Sequence, residues 1–174
     1  MSIDKLSQIS TKKGDSGKSR NYNDDVFDKD DALFEALGTL DELNSFLGLT
    51  YHYSEVGMIK QIQLYLQNIS SLIATKPKSG HYSSLNQIDE DDVSLLEEKI
   101  EKLLKDKPLE NQFYLPGSEK TKSGAYFDLC RTIARRAERR IVTFEKEHQR
   151  EDLDLIKKFI NRLSDLLFLL SMQE

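Results

Sequence analysis

Three prolines, at positions 77, 108 and 116, divide the 174 residues into long proline-free segments. Proline removes a helical hydrogen bond and clashes with the preceding turn, so helices can only grow between such residues. Those segments carry apolar side chains at three- and four-residue spacing, the period of a helix with one buried face. After Lys29-Asp30-Asp31, one stripe holds Leu33, Leu37, Leu40, Asn44 and Leu47, and Asp30 or Asp31 stands where a helix cap belongs. A second helix is predicted over 56–75 on Ile59, Ile62, Leu66, Ile69 and Ile73, and a third over 89–105 on Val93, Leu96, Ile100 and Leu103. A fourth over 123–148 turns Cys130, Ile133, Ala134, Ala137, Ile141 and Phe144 inward, and a fifth over 153–172 does so with Leu155, Phe159, Leu163, Leu166 and Leu170. The polar segment 76–86 and the segment 106–122 read as connectors. The prediction is an all-α, five-helix up-and-down bundle over residues 29–174. Residues 1–28 are polar and glycine-bearing and read as a segment that is mobile until something binds it. No strand alternation and no internal repeat stands out.

The formal charge of −5 supplies no positive field for a phosphate backbone, which argues against a nucleic-acid partner. Any cationic cluster must then serve a smaller anion. The single cysteine, Cys130, cannot form an intrachain disulfide and lies on the predicted buried face, which fits a reducing, cytoplasmic setting. The longest uninterrupted apolar run, Leu166 to Leu170, is too short for a membrane span, and no secretion signal is expected.

The fourth helix carries the densest chemistry. Residues 131–140 hold five arginines and one glutamate, and Arg131, Arg135 and Glu138 fall on one face at i, i+4 and i+7. Guanidinium forks on a helix fixed to a core suit a polyphosphate. A solvated face laced with internal ion pairs is the competing reading. Upstream, Thr11-Lys12-Lys13-Gly14-Asp15-Ser16-Gly17-Lys18-Ser19 combines glycines, lysines and hydroxyls, which lets backbone N–H groups approach an anion. It lacks the spacing and the preceding strand of a Walker loop. Lys29 precedes a helix, against the dipole unless an anion is near or Asp28, Asp30 and Asp31 neutralise it. Asp41 and Asn44, in an apolar helix, need partners, and an arginine of the fourth helix is available to Asp41 within the chain or across a subunit boundary. Asn161-Arg162-Leu163-Ser164-Asp165 similarly sets polar groups into the last helix. His52, His81 and His148 have no metal-ligand spacing, and no protein-held metal is expected.

In this order, these blocks resemble the PduO-type ATP:cob(I)alamin adenosyltransferases. The matching blocks are 11–17, Lys29-Asp30-Asp31, Gly38-Thr39-Leu40-Asp41-Glu42-Leu43-Asn44-Ser45, 113–117, 131–139 and 161–165, so the resemblance spans about residues 10 to 170. It implies a homotrimer with active sites between subunits. It also implies transfer of the 5′-deoxyadenosyl group of ATP to cob(I)alamin, with Mg²⁺ on the phosphates and triphosphate released. By the same resemblance, Thr11, Lys12, Lys13 and Gly14 would wrap the nucleotide with Ser19 nearby. Lys29 would meet phosphate, and Arg135, Arg136, Glu138, Arg139 and Asn161 would hold ATP. Asp41 and Arg131 look like the family's intersubunit salt bridge and, with Arg135, are the candidate catalytic residues. Phe113 lies near where the family covers the lower face of the corrin, excluding water and the lower ligand and easing reduction of cob(II)alamin. A corrinoid reductase and an adenosylcobalamin-dependent enzyme are the implied partners.

The chain also departs from the family pattern. Lys18-Ser19-Arg20-Asn21 stands where a Thr/Ser-rich continuation is usual, and Asp24-Asp25-Val26-Phe27 replaces Gly-x-Arg-Val, losing an arginine. Ser118 replaces a glycine, and Ser171-Met172-Gln173-Glu174 lacks the basic residue that usually closes the last helix. These departures motivate an alternative, a non-catalytic trimer that holds ATP or adenosylcobalamin and delivers cofactor to a partner enzyme. A purely structural bundle is a third reading.

Overall fold

A computed structural model describes residues 5, 10, 12, 14–54 and 56–173. Among these residues, two short strands, β1 (Lys18–Arg20) and β2 (Val26–Asp28), precede six helices. These are α1 (Ala32–Ser54), α2 (Met58–Ala74), α3 (Gly80–Ser84), α4 (Glu90–Asp106), α5 (Lys122–His148) and α6 (Asp154–Gln173). The five long helices lie where the apolar period put them. The sixth, α3, and the hairpin depart from the expectation of five helices and no strands. A five-residue helix and three-residue strands are too short to display a period. Each is made by specific contacts instead. Ser79 caps α3 by accepting the Tyr82 N–H at 3.1 Å. The turn between the strands is braced by Asn21 Oδ1, which accepts the N–H groups of Asn23 and Asp25, both at 2.9 Å.

Helix starts follow capping chemistry. Asp31 accepts the Leu33 N–H at 2.8 Å and so opens α1. Asp89 and Asp92 form a reciprocal capping box at the head of α4. Thr121 accepts the Gly124 N–H at 3.0 Å to start α5, and Gln149, in the left-handed region, ends it.

Helices α1 and α5 pack along their length, α6 lies against α5, α2 against α1 and α4 against α6. Tyr65 of α2 closes the bundle, its ring 5.0 Å from that of Phe159 and its hydroxyl donating to Asp92 at 2.7 Å. The predicted stripe of α5 is buried throughout, with Cys130, Ala134 and Ala137 letting its neighbours come close. Burial pushes the Cys130 thiol up to about 11, so the cysteine is packing rather than chemistry. Leu40, Leu43, Leu47, Phe127, Phe159 and Leu163 fill the space between the layers, each contributing roughly 2 kcal/mol. Among the described residues no helix is long and apolar enough to cross a membrane. The last helix, which lacks a basic residue of its own at its end, receives one from Lys107. Its Nζ donates to the carbonyls of Met172 and Gln173 at 3.4 and 3.1 Å.

Gly124 marks the tightest crossing. A Cβ there would lie 2.7 Å from the Ser171 carbonyl oxygen, which belongs to a helix backbone and cannot swing away. Gly124→Ala therefore destabilises the protein by about 1–3 kcal/mol in urea unfolding, although alanine is the better helix former. A gain in stability would show that the crossing is looser than drawn.

One buried polar network joins three elements. Tyr82 donates to Asp152 at 2.7 Å, and Arg150 grips the same carboxylate through Nε and Nη2 at 2.8 and 2.7 Å. Burial and the bond to Asp152 push the Tyr82 hydroxyl up to about 12. Burial alone would raise the Asp152 carboxyl, but hydrogen bonds from Arg150 and Tyr82 outweigh it and hold the group below its ordinary value. The two signs bracket the stable range. Tyr82 contributes fully below about pH 10 and loses its contribution as pH rises toward 12. Asp152 contributes above roughly pH 4 and loses its contribution as pH falls through its lowered value. Melting temperature should drop between about pH 10 and 12, and Tyr82→Phe should lessen that drop. An equal alkaline drop in the variant would remove Tyr82 from this role.

Candidate functional site

The predicted site residues fall into separate groups on the chain. Gly14, Ser19 and Lys29 form the first. Gly17, at φ +78, accepts the Lys29 N–H through its carbonyl at 2.8 Å, which folds the loop back onto the lysine. The Lys29 side chain lies across the loop, where a Cβ at Gly14 would meet its Nζ at 3.0 Å. Together with Ser16, Lys18, Arg20 and Val26 they line a cavity of about 710 Å³. Among the described residues its walls carry three basic side chains and no carboxylate. Lys18 is neutralised by Asp28 at 3.2 Å, and Lys29 has no ion-pair partner among the described residues. Lys12 adopts a left-handed backbone at φ +56 beside the loop. Thr11 and Lys13 lie outside the described residues.

The arginines of α5 divide according to which neighbour each one meets. Arg136 pairs with Glu42, and Arg140 with Glu35 at 3.3 Å, so both hold α5 to α1. Arg131 donates through Nε to Asp128 at 2.7 Å on its own helix. Asp41 is exposed and has no partner among the described residues, so the chain by itself does not join it to an arginine of this helix. Asn44 is half-buried on the same helix, and its Oδ1 is shut away from solvent without a donor. Arg139 is exposed and donates to the Arg135 carbonyl at 3.0 Å. Glu138 accepts from Asn161 Nδ2 at 3.2 and 3.4 Å, and Arg162 donates to Asn161 Oδ1 at 2.9 Å. The asparagine is thereby fixed from two sides.

Arg131 and Arg135 line a second cleft, about 340 Å³, with Phe113, Tyr114, Asp165 and Phe168 among its walls. Tyr114 packs edge-on against Phe168 at 6.1 Å, while Phe113 stands 85% exposed at the rim. Burial raises the Asp165 carboxyl, and the positive charges of Arg162 and Arg135 only partly offset it. The cleft thus pairs arginines with an apolar lip. It shares no lining residue with the glycine-loop cavity, so one chain does not bring Lys29 and Arg135 to a common pocket.

Arg20 and Tyr114 were not singled out from sequence. The Asn/Asp-rich turn between Lys18-Ser19-Arg20 and Val26-Phe27-Asp28 was the available signal of a hairpin. Its register sets Arg20 opposite Val26, the position where the resemblance leads one to expect an arginine. Among the described residues, no group of three or more His, Cys, Asp or Glu is placed to hold a metal ion. The described lining of the glycine-loop cavity offers no carboxylate to a Mg²⁺ ion either.

The described residues thus form a helical bundle with a cationic cavity at the glycine loop and a separate arginine–aromatic cleft. The profile of one family, described as cobalamin adenosyltransferase, matches residues 9–174. A corrinoid adenosyltransferase of Citrobacter freundii is 32% identical over 92% of this chain and 91% of its own length. The corrinoid adenosyltransferase MMAB of Bos taurus is 35% identical over 96% of this chain and 71% of its own. Among solved structures, a phenylalanine-to-alanine variant of a PduO-type ATP:corrinoid adenosyltransferase from Lactobacillus reuteri, complexed with cobalamin and ATP, superposes with a TM-score of 0.83. It is 31% identical, with 94% of this chain and 91% of that one covered. An arginine-to-lysine variant complexed with ATP gives 0.82 at 31% identity, covering 94% and 92%. The chain belongs to the cobalamin adenosyltransferase family.

Proposed function

We propose that this protein transfers the 5′-deoxyadenosyl group of ATP to cob(I)alamin, giving adenosylcobalamin and triphosphate, at sites shared between the subunits of a homotrimer. The observation that carries this reading is the split of the site. The glycine-loop cavity with Lys29 and the cleft with Arg135 occupy separate places on one chain. Asp41, exposed and without a partner among the described residues, is consistent with an Arg131 contact across a subunit boundary. Relatives of this family are held in complexes with cobalamin and ATP.

In the proposed reaction the cobalt(I) of the substrate supplies an electron pair to C5′ of the ribose. A Co–C bond forms, the C5′–O bond breaks, and the leaving triphosphate takes the electron pair. The chain positions the partners and stabilises the charge that develops on the leaving oxygen. Gly14, Lys29 and the loop residues Thr11, Lys12 and Lys13, with Ser19, would cradle the phosphates. Arg135, Arg136, Glu138, Arg139 and Asn161 of the neighbouring subunit would orient the nucleotide. Mg²⁺ would supply charge neutralisation on the phosphates. Phe113 would cover the lower face of the corrin and keep water from it. The N-terminal segment 1–28, whose hairpin is docked on the end of α2, would serve as the nucleotide-binding segment beside the bundle 29–174. A corrinoid reductase would supply the substrate, an adenosylcobalamin-dependent enzyme would take the product, and the buried thiol suits the cytoplasm.

The test is growth of adenosylcobalamin absorbance when ATP meets chemically reduced cobalamin, with one triphosphate released per product. Absence of product with fully reduced substrate would rule the reading out. The replacement of Gly-x-Arg-Val by Asp24-Asp25-Val26-Phe27 favours the second reading, a non-catalytic trimer that delivers cofactor. Tight adenosylcobalamin binding without turnover would establish it.

A further inference from the structure

We propose that Arg20 is a second anion-gripping residue of the glycine-loop cavity, acting with Lys29 on a triphosphate. This rests on the reading that the cavity receives the phosphates of ATP. Three observations lead to Arg20. Strand β1 sets Lys18 and Arg20 on one face, and both line the cavity. Lys18 is cross-strand from Asp28 and paired with it at 3.2 Å, so its charge is already answered. Arg20 is cross-strand from Val26 and forms no ion pair among the described residues.

The turn is arranged to keep it so. Two aspartates, Asp24 and Asp25, stand in reach of the strand ends. The Asp25 carboxylate is engaged by Asn21, whose Nδ2 donates to Asp25 Oδ2 at 3.0 Å. Asp24, in the left-handed region at φ +65, turns its carbonyl to Arg20, which donates to it through Nη1 at 2.6 Å. The arginine is thus anchored by one donor to a neutral group. A guanidinium has five N–H donors, so most of its fork stays free and keeps its full charge. A bidentate fork beside the point charge of Lys29 matches a chain of phosphate oxygens. Residue 26 contributes only an apolar wall. Directly opposed residues on an antiparallel pair have Cβ atoms about 5 Å apart, so a guanidinium reaching from either strand enters the same space.

The experiment is calorimetric titration of the full chain with inorganic tripolyphosphate, alongside KM values for ATP and cob(I)alamin. Arg20→Gln is expected to weaken tripolyphosphate binding about tenfold and to raise the KM for ATP by a similar factor. The KM for cob(I)alamin should stay within about twofold. The swap of Arg20→Val with Val26→Arg, which moves the guanidinium across the pair, is expected to restore binding to within about threefold of the parent chain. A purely structural role for Arg20 would not be rescued this way. Parent-like tripolyphosphate affinity in Arg20→Gln overturns the proposal, as does a swapped chain that melts normally yet binds no better than Arg20→Val alone. A parent chain that binds tripolyphosphate but forms no adenosylcobalamin removes the transferase reading and leaves Arg20 in place. A parent chain that forms adenosylcobalamin, with Arg20→Gln binding unchanged, does the reverse.

Discussion

Arg135→Ala is expected to lower kcat by about 100- to 1000-fold while leaving the fold and the assembly intact. The side chain lines the cleft with Phe113 and Asp165, and makes no ion pair or hydrogen bond among the described residues. Its removal therefore strands no buried partner, and the unfolding free energy should change by no more than roughly 0.5 kcal/mol. Arg136 and Arg140 differ, because each is tied to a glutamate of α1. The proposed loss belongs to the transition state, where charge grows on the leaving triphosphate and a preorganised guanidinium is worth most. Arg135→Lys keeps the charge but not the fork and should recover only part of the rate. Activity within a few fold of the parent would remove Arg135 from the reaction. Destabilisation comparable to a core deletion would make it a structural residue.

Arg150→Ala is expected to destabilise the protein by about 3–5 kcal/mol, the largest single effect outside the hydrophobic core. Arg150 is only 7% exposed. Besides its two bonds to Asp152, it donates to the carbonyls of Ile73 and Leu72 at 3.0 and 3.1 Å. Those are among the last carbonyls of α2, which have no partner within their own helix. One residue in the short turn between α5 and α6 thus caps a helix from a different part of the chain. Its removal takes the donor from the Ile73 carbonyl, leaves Leu72 with the Thr75 N–H and Asp152 with the Tyr82 hydroxyl alone, and opens a gap beside Phe144, whose ring lies 5.4 Å from the guanidinium. Urea unfolding measures the loss directly. A change under about 1 kcal/mol would show that water replaces these bonds readily.

Much of the bundle can be read from local pattern, because burial of one face is a periodic demand. The apolar positions of α5 are all buried, and the helix ends at caps that the polar residues announce. The hairpin was not legible for a physical reason. It is held by distant partners, since the Tyr22 N–H donates to the Ala74 carbonyl at 3.0 Å and Asn23 accepts the Lys76 N–H. Phe27 leans on His148, whose Nε2 lies 2.8 Å from Asp31 at the head of α1. Helix α3 depends in the same way on Tyr82 reaching Asp152, 70 residues further on. At the site, residue types were legible but pairings were not. Spacing alone offers Asp41 and Glu42 equally to the arginines of α5. The rotation of α1 about its axis decides between them, turning Glu42 to Arg136 and Asp41 outward. The missing basic residue at the end of α6 is likewise made good from outside, by Lys107 at the end of α4.

The central claim is that each site takes its glycine loop from one subunit and its arginine helix from another. The most direct measurement is complementation between two inactive chains, Lys29→Ala and Arg135→Ala, co-expressed and assayed for adenosylcobalamin. Sites shared between subunits combine an intact loop with an intact helix in about a quarter of cases when chains mix at random, so activity should return to about a quarter of the parent level. Mixed assemblies that form yet stay as inactive as either variant alone would place the whole site within one chain and contradict the account.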